Sequence, residues 1–264
     1  EGFDSPWDRQ IKMYKIAIIE EFHKAGLELL DNHKDFNYEI INNASEENLI
    51  KKLPEFDGCT VRLSKLNSKI LQNCKKLRVI SRHGVGYDNI DLEFLKKNNI
   101  ALLITSNANH VAVVEHTMYM ILSIAKGIVS HDKAVRDGSF KKGISKIETF
   151  EITNKEILII GCGRIGKSLI KKLQSFNMNI KVYDPYVDIN IITELGGVKV
   201  DDLNKSLQTA DIITLHIPFN KNTKNLINIK NLSFMKKNAI IINTSRGGII
   251  NEKDLDNALK KNMI

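Results

Sequence analysis

Short β-branched runs alternate with helical patterns along most of the chain. Residues 15–19, 37–41, 58–62, 77–81 and 101–104 read as strands, and residues 45–53 and 91–98 between them read as helices. Such alternation predicts a parallel sheet with helices on both faces. A long helix is predicted over residues 111–130, where Val114, Met118, Ile121, Leu122 and Ala125 recur at helical spacing, as in a buried connector. After a polar stretch, residues 137–154, the pattern restarts. Residues 156–160 form a continuous apolar run suited to the centre of a parallel sheet. Strands are predicted again at residues 180–183, 211–215 and 239–243, with a last helix at 252–261. The reading is α/β, two doubly wound parallel-sheet domains joined by a helix. Residues 1–12, EGFDSPWDRQIK, are polar and irregular, so they are expected to be a non-native or disordered leader before a natural start at Met13.

Composition narrows the class. At 264 residues and 42% apolar content the chain has enough material for a real core. The net charge of +8 would point to nucleic acid or an anionic membrane only if it were clustered, and it is scattered. The chain holds 32 Lys against 7 Arg, with 27 Asn and 38 Ile, a general bias in which each arginine marks a place where a planar, bidentate donor is wanted. No nucleic-acid or membrane partner is expected. Three cysteines, Cys59, Cys74 and Cys162, lack C-x-x-C spacing and indicate neither a disulfide framework nor a zinc site. No run reaches the roughly 20 apolar residues of a membrane span, and the expected location is cytoplasmic.

The candidate chemistry centres on one turn. The strand at residues 156–160 runs into Gly161-Cys162-Gly163-Arg164-Ile165-Gly166, and a helical pattern follows. Strand, glycine turn, helix, strand and then an acid is the context that gives a G-x-G-x-x-G its meaning. Gly161 permits the tight turn, Gly163 lets the backbone approach a pyrophosphate, and Gly166 allows close packing of helix on sheet. The helix N-terminus suits an anion. Asp184 ends the next strand, where its carboxylate can accept hydrogen bonds from both ribose hydroxyls and repel a 2′-phosphate, which favours NAD over NADP. Gly84-Val85-Gly86 reads equally as a plain strand-to-helix turn before Asp91 or as a nest of outward N–H groups for an anion.

Four motifs in register resemble the D-isomer-specific 2-hydroxy-acid dehydrogenases, a family that includes 3-phosphoglycerate dehydrogenase and the hydroxypyruvate and glyoxylate reductases. They are Ser81-Arg82-His83-Gly84-Val85-Gly86-Tyr87-Asp88-Asn89-Ile90-Asp91, Asn107-Ala108-Asn109-His110-Val111-Ala112-Val113-Val114-Glu115-His116-Thr117, the glycine turn with Asp184, and His216-Ile217-Pro218 followed by Asn243-Thr244-Ser245-Arg246-Gly247-Gly248. The resemblance implies a flavodoxin-like substrate domain over residues 13–108 and a Rossmann NAD-binding domain over residues 109–264. It implies that Gly161, Gly163, Arg164, Ile165, Gly166, Asp184, His216, Pro218, Thr223, Thr244 and Ser245 border the cofactor. It places the substrate carboxylate on the amides of Val85 and Gly86, its distal group near Arg62, and the catalytic guanidinium at Arg246. A guanidinium suits that task because it stays charged and offers a rigid fork of donors. The substrate is then a small anionic 2-hydroxy or 2-keto acid, most closely 3-phosphoglycerate, with hydroxypyruvate or glyoxylate, or a non-catalytic NAD-sensing role, as alternatives. Pairing of two copies through the NAD-binding domain is implied as well.

The family's proton donor is a histidine held by a glutamate, both C-terminal to Arg246, and neither is in the sequence. The chain is therefore expected to be C-terminally truncated, poorly soluble or marginally stable alone, and inactive, the activity belonging to the parent enzyme. Glu115 and His116 diverge by about 100° on a helix and do not substitute for the pair.

Overall fold

The computed structural model describes residues 13–141 and 147–264; the expected leader, residues 1–12, lies outside them. The chain divides into two compact units between Asn109 and His110.

The first unit is a five-stranded parallel sheet in the order β2-β1-β3-β4-β5. Its strands are β1 (Tyr14–Ile19), β2 (Phe36–Ile41), β3 (Gly58–Val61), β4 (Val79–Arg82) and β5 (Ala101–Ile104). The connecting helices are α1 (Lys24–Asp31), α2 (Glu46–Lys52), α3 (Ser68–Leu71) and α4 (Leu92–Lys97). Helix starts follow local chemistry. The Ser45 side chain accepts Asn48 N–H ahead of α2, and Asp91 accepts Phe94 N–H at 3.0 Å ahead of α4, each satisfying a donor the helix cannot. Strand β4 is set later than its apolar run suggests, because Leu77 N–H is bound in a turn to the Cys74 carbonyl. A core of Ile19, Ile41, Leu53, Phe56, Leu71 and Ile80, among others, is sealed from solvent.

The second unit has strands β6 (Glu156–Ile160), β7 (Asn179–Tyr183), β8 (Val198–Lys199), β9 (Ile212–Leu215) and β10 (Ile240–Asn243), in the order β10-β9-β6-β7-β8, all parallel. Its helices are α5 (His110–Ala125), α6 (Ile128–Arg136), α7 (Arg164–Gln174), α8 (Ile189–Glu194), α9 (Leu203–Thr209), α10 (Ile229–Leu232) and α11 (Glu252–Lys260). Strand β6 explains its unbroken hydrophobicity by serving two cores. Ile157 and Ile159 face one with Ile121 of α5 and Leu169 of α7, and Leu158 and Ile160 face the other with Leu207, Leu232 and Ala258. Burial of each such side chain contributes about 1.5–3 kcal/mol.

The predicted helix over residues 111–130 is two helices. Gly127 sits in the left-handed region at φ +56°, α6 starts anew after it, and the pair is bent by 64°. No single described helix is long and apolar enough to cross a membrane. The two sheets share one device at the amino ends of their strands. In the first, Asp57 donates its N–H to the Lys15 carbonyl at 2.8 Å and accepts Lys15 N–H on Oδ2 at 3.0 Å. In the second, Asp211 donates to the Glu156 carbonyl and accepts Glu156 N–H on Oδ2, both at 2.8 Å. Each clasp joins the strand that opens its unit (β1 or β6) to a neighbour that follows later in sequence (β3 or β9).

Candidate active site

In the second unit the loops after β6, β7, β9 and β10 converge at the carboxyl edge of the sheet, where open α/β sheets carry their ligands. Gly161 has φ +101°, and a Cβ there would lie 2.6 Å from the His216 carbonyl oxygen, so only glycine lets these two loops touch. A Cβ on Gly166 would collide with the Gly161 carbonyl, so the start of α7 rests on the turn itself. Gly163 is different, since a Cβ there would meet nothing within 4 Å. Helix α7 starts at Gly163 with no side-chain cap and no acid in its first turn. An open glycine before an uncapped, acid-free helix start fits a pyrophosphate.

Asp184 is already engaged. Its Oδ2 accepts Cys162 N–H at 2.7 Å, and its Oδ1 accepts Tyr186 N–H at 2.9 Å and Val187 N–H at 3.2 Å. Three backbone N–H groups thus fix the orientation of the carboxylate at the end of β7. Cys162 itself is buried, and burial pushes its thiol up, so it is a packing residue in the turn.

His216, Thr214, Thr244 and Thr117 form a polar thread through the apolar interior. Thr117 donates its hydroxyl to the Val113 carbonyl at 2.8 Å and meets the Thr244 hydroxyl at 3.1 Å. Thr244 lies 3.5 Å from His216 Nδ1, and Thr214 lies 2.9 Å from Nε2. Counting protons along the thread assigns the tautomer: with Thr117 donating to Val113, Thr244 donates to Thr117, Nδ1–H donates to Thr244, and Nε2 accepts from Thr214. Burial lowers the imidazole pKa to about 4, so the ring is neutral near pH 7. Both nitrogens are partnered, and His216 is a fixture of the loop, not a poised acid.

Arg246 is half-buried at the end of a turn organised by Asn243. Asn243 Oδ1 accepts the Ser245 N–H at 3.0 Å and its hydroxyl at 2.7 Å, and Asn243 Nδ2 donates to the Arg246 carbonyl at 2.8 Å. Gly248 at φ +76° lets the Phe219 ring lie against the turn. Pro218 and Thr223 sit in the exposed loop after β9, where the Thr223 hydroxyl donates to the Pro218 carbonyl at 2.7 Å and accepts Asn220 N–H at 2.8 Å. The second unit thus brings Gly161, Gly163, Arg164, Ile165, Gly166, Asp184, His216, Thr244, Ser245 and Arg246 to one edge.

In the first unit Arg62 is exposed directly after β3, and Val85 and Gly86 lie in the loop after β4. Of that turn it is Gly84, at φ +140°, that needs glycine, and a Cβ there would overlap the Arg82 guanidinium. Arg82 Nη1 also donates to the His83 carbonyl at 2.8 Å. Arg82 was not singled out by its motif, although the scarcity of arginine pointed to it. Among the described residues no cluster of three or more metal-ligating side chains occurs.

Residues 118–264 match the family described as D-isomer specific 2-hydroxyacid dehydrogenase, NAD binding domain. The chain is 34% identical over 253 residues to a D-3-phosphoglycerate dehydrogenase of Methanocaldococcus jannaschii, covering 96% of this chain and 48% of that protein. It is 32% identical over 259 residues to a glyoxylate reductase of Pyrococcus horikoshii, covering 95% and 77%. The crystal structure of a D-lactate dehydrogenase from Aquifex aeolicus, complexed with NAD and lactic acid, superposes with a TM-score of 0.83 at 27% identity, covering 94% of this chain and 74% of that one. The chain spans about half the length of the phosphoglycerate dehydrogenases it matches.

Proposed function

The chain belongs to the D-isomer specific 2-hydroxyacid dehydrogenase family, and from that premise we propose that it serves an NAD-dependent enzyme interconverting a D-2-hydroxy acid and its 2-keto acid, with 3-phosphoglycerate the substrate it suits best. The observation that carries the chemistry is the Asn243-braced turn presenting Arg246 at the same edge as the glycine turn. NAD, when bound, supplies the hydride acceptor at nicotinamide C4.

The chain's own residues do the rest. The start of α7 holds the pyrophosphate and Asp184 holds a ribose hydroxyl. Arg246 lies where charge on the substrate oxygen changes as the C2–H bond breaks, and its fixed positive charge stabilises that change without reorganisation. The hydride leaves to the nicotinamide and the hydroxyl proton to a general base. Amides of Val85 and Gly86 hold the carboxylate. Support for a phosphorylated substrate comes from Arg62 and Arg82, two of 7 arginines in a lysine-rich chain, at the ends of β3 and β4. Two copies of the protein pair through the second unit, using the exposed apolar residues of α5 and α6.

The test is a substrate panel on the native protein with NAD, comparing 3-phosphoglycerate with glycerate and glycolate, and Arg246→Lys with the natural residue. We expect kcat/KM at least about tenfold higher for the phosphorylated acid, and a loss of about 100-fold or more in Arg246→Lys. A preference for glycerate or glycolate would remove phosphoglycerate and keep the family chemistry. Tight NADH binding without turnover of any hydroxy acid would instead make the protein an NAD sensor.

A further inference from the structure

The loops at the carboxyl edge of the first unit are tied together by a residue outside every motif. Glu20 follows β1 in the left-handed region at φ +72°, which a residue with a side chain occupies only when its surroundings hold it there. Its carboxylate reaches across 42 to 44 residues of sequence to the loop after β3. Oε2 accepts Arg62 N–H at 3.2 Å and Leu63 N–H at 2.8 Å, and Oε1 accepts the Ser64 hydroxyl at 2.8 Å.

The tie continues past that loop. The Ser64 carbonyl accepts Asn89 Nδ2 at 2.7 Å, Leu66 N–H donates to the Asn89 carbonyl at 2.8 Å, and Asp91 N–H donates to the Leu66 carbonyl at 3.0 Å. Asn89 is three residues beyond Gly86 in the loop that follows β4. Strands β1 and β3 are neighbours in the order β2-β1-β3-β4-β5, and the sheet reverses its direction of growth between them. Open α/β sheets present their ligand crevice at such a reversal. Burial alone would raise the Glu20 carboxyl, but the N–H of Leu63, the hydroxyl of Ser64 and the N–H of Arg62 hold it below its usual range. It is therefore an anion at neutral pH.

We infer that Glu20 is a positioning residue for the hydroxy-acid half of the site: its carboxylate sets the loop bearing Arg62 and, through Ser64 and Asn89, the turn bearing Val85 and Gly86. This rests on the substrate roles proposed above for those three residues. A left-handed backbone and three long-range acceptor bonds go together here.

The experiment uses Glu20→Gly and Glu20→Gln in the native protein. Glycine accepts φ +72° without strain, so Glu20→Gly removes the tie while relieving the backbone. Backbone amide exchange is expected to accelerate at least about tenfold at Arg62 and Leu63 and also across residues 84–89. KM for the hydroxy acid should rise about tenfold or more with a smaller change in kcat, and NADH affinity should not change. Glu20→Gln keeps an acceptor oxygen and should recover part of the loss. Unchanged exchange across residues 84–89, or a lowered Tm with KM unaltered, would overturn the proposal and leave Glu20 a stabiliser of the fold. If the natural protein turns over no hydroxy acid, the functional reading falls and the substrate role with it, while the exchange result still decides whether Glu20 couples the two loops.

Discussion

Because both oxygens of Asp184 already accept backbone N–H groups, removing the side chain and neutralising it ask different questions. Asp184→Ala breaks the turn as well as the proposed ribose contact. Asp184→Asn keeps an acceptor and loses the charge, so its NADPH-to-NADH affinity ratio should rise at least about tenfold, read by fluorescence titration. An unaltered ratio would show that the charge does not select the cofactor. His216 makes a pH prediction. Its folded pKa of about 4 lies below the ordinary 6.5, so the unfolded chain takes up the proton first. Stability from this group is full above pH 6.5 and falls as pH drops toward 4, by at most about 3 kcal/mol. Urea unfolding at pH 7, 5.5 and 4.5 should show that slope in the natural protein and a shallower one in His216→Asn. Equal slopes would remove His216 as the cause. Residues of this kind differ in how they announce themselves. Asp184, Gly161 and Arg246 stand in local patterns, whereas the partners of Glu20 lie more than 40 residues away and no window of sequence contains them.

At the scale of elements, Gly163 and Gly166 separate function from folding within one turn. Gly163→Ala meets open space, so Tm should hold while NADH affinity falls, because the new methyl would occupy the proposed approach of the phosphates. Gly166→Ala drives a methyl into the Gly161 carbonyl and should lower Tm by several degrees, about 1–3 kcal/mol, with NADH affinity falling too. Calorimetry and NADH titration of both variants check this; equal losses of Tm would refute the distinction. Strands β6 and β9 were legible because parallel strands buried on both faces need continuous apolar runs. Gly127 was not legible as a break, since a glycine inside a helical pattern is usually tolerated and its left-handed φ is set by tertiary context. Strand β8 spans two residues, too few for any periodicity.

At the scale of the whole molecule, the bent pair α5 and α6 leaves the apolar side chains Tyr119, Val129 and Val135 58%, 78% and 63% exposed, and the proposed pairing of two copies would cover some of them. Sedimentation velocity should give a dimer for the natural protein and a monomer for Val129→Asp at low micromolar concentration. A monomeric natural protein would refute the pairing. The two-unit plan was legible from the restart of the strand pattern, and the likeness of the two sheets was not, because it lies in the clasps of Asp57 and Asp211. Those clasps have a consequence for anyone who would rebuild this protein. Each bonds to both the N–H and the carbonyl of one residue, Lys15 or Glu156, and so keeps count of position at the amino ends of the strands. A slip by one residue would break both bonds and turn every side chain of the strand to the wrong face. The alignment of the strands is therefore set at the ends opposite the candidate site, so a carboxyl-end loop outside the Glu20 tie and the Gly161–His216 contact is the place to graft a relative's specificity.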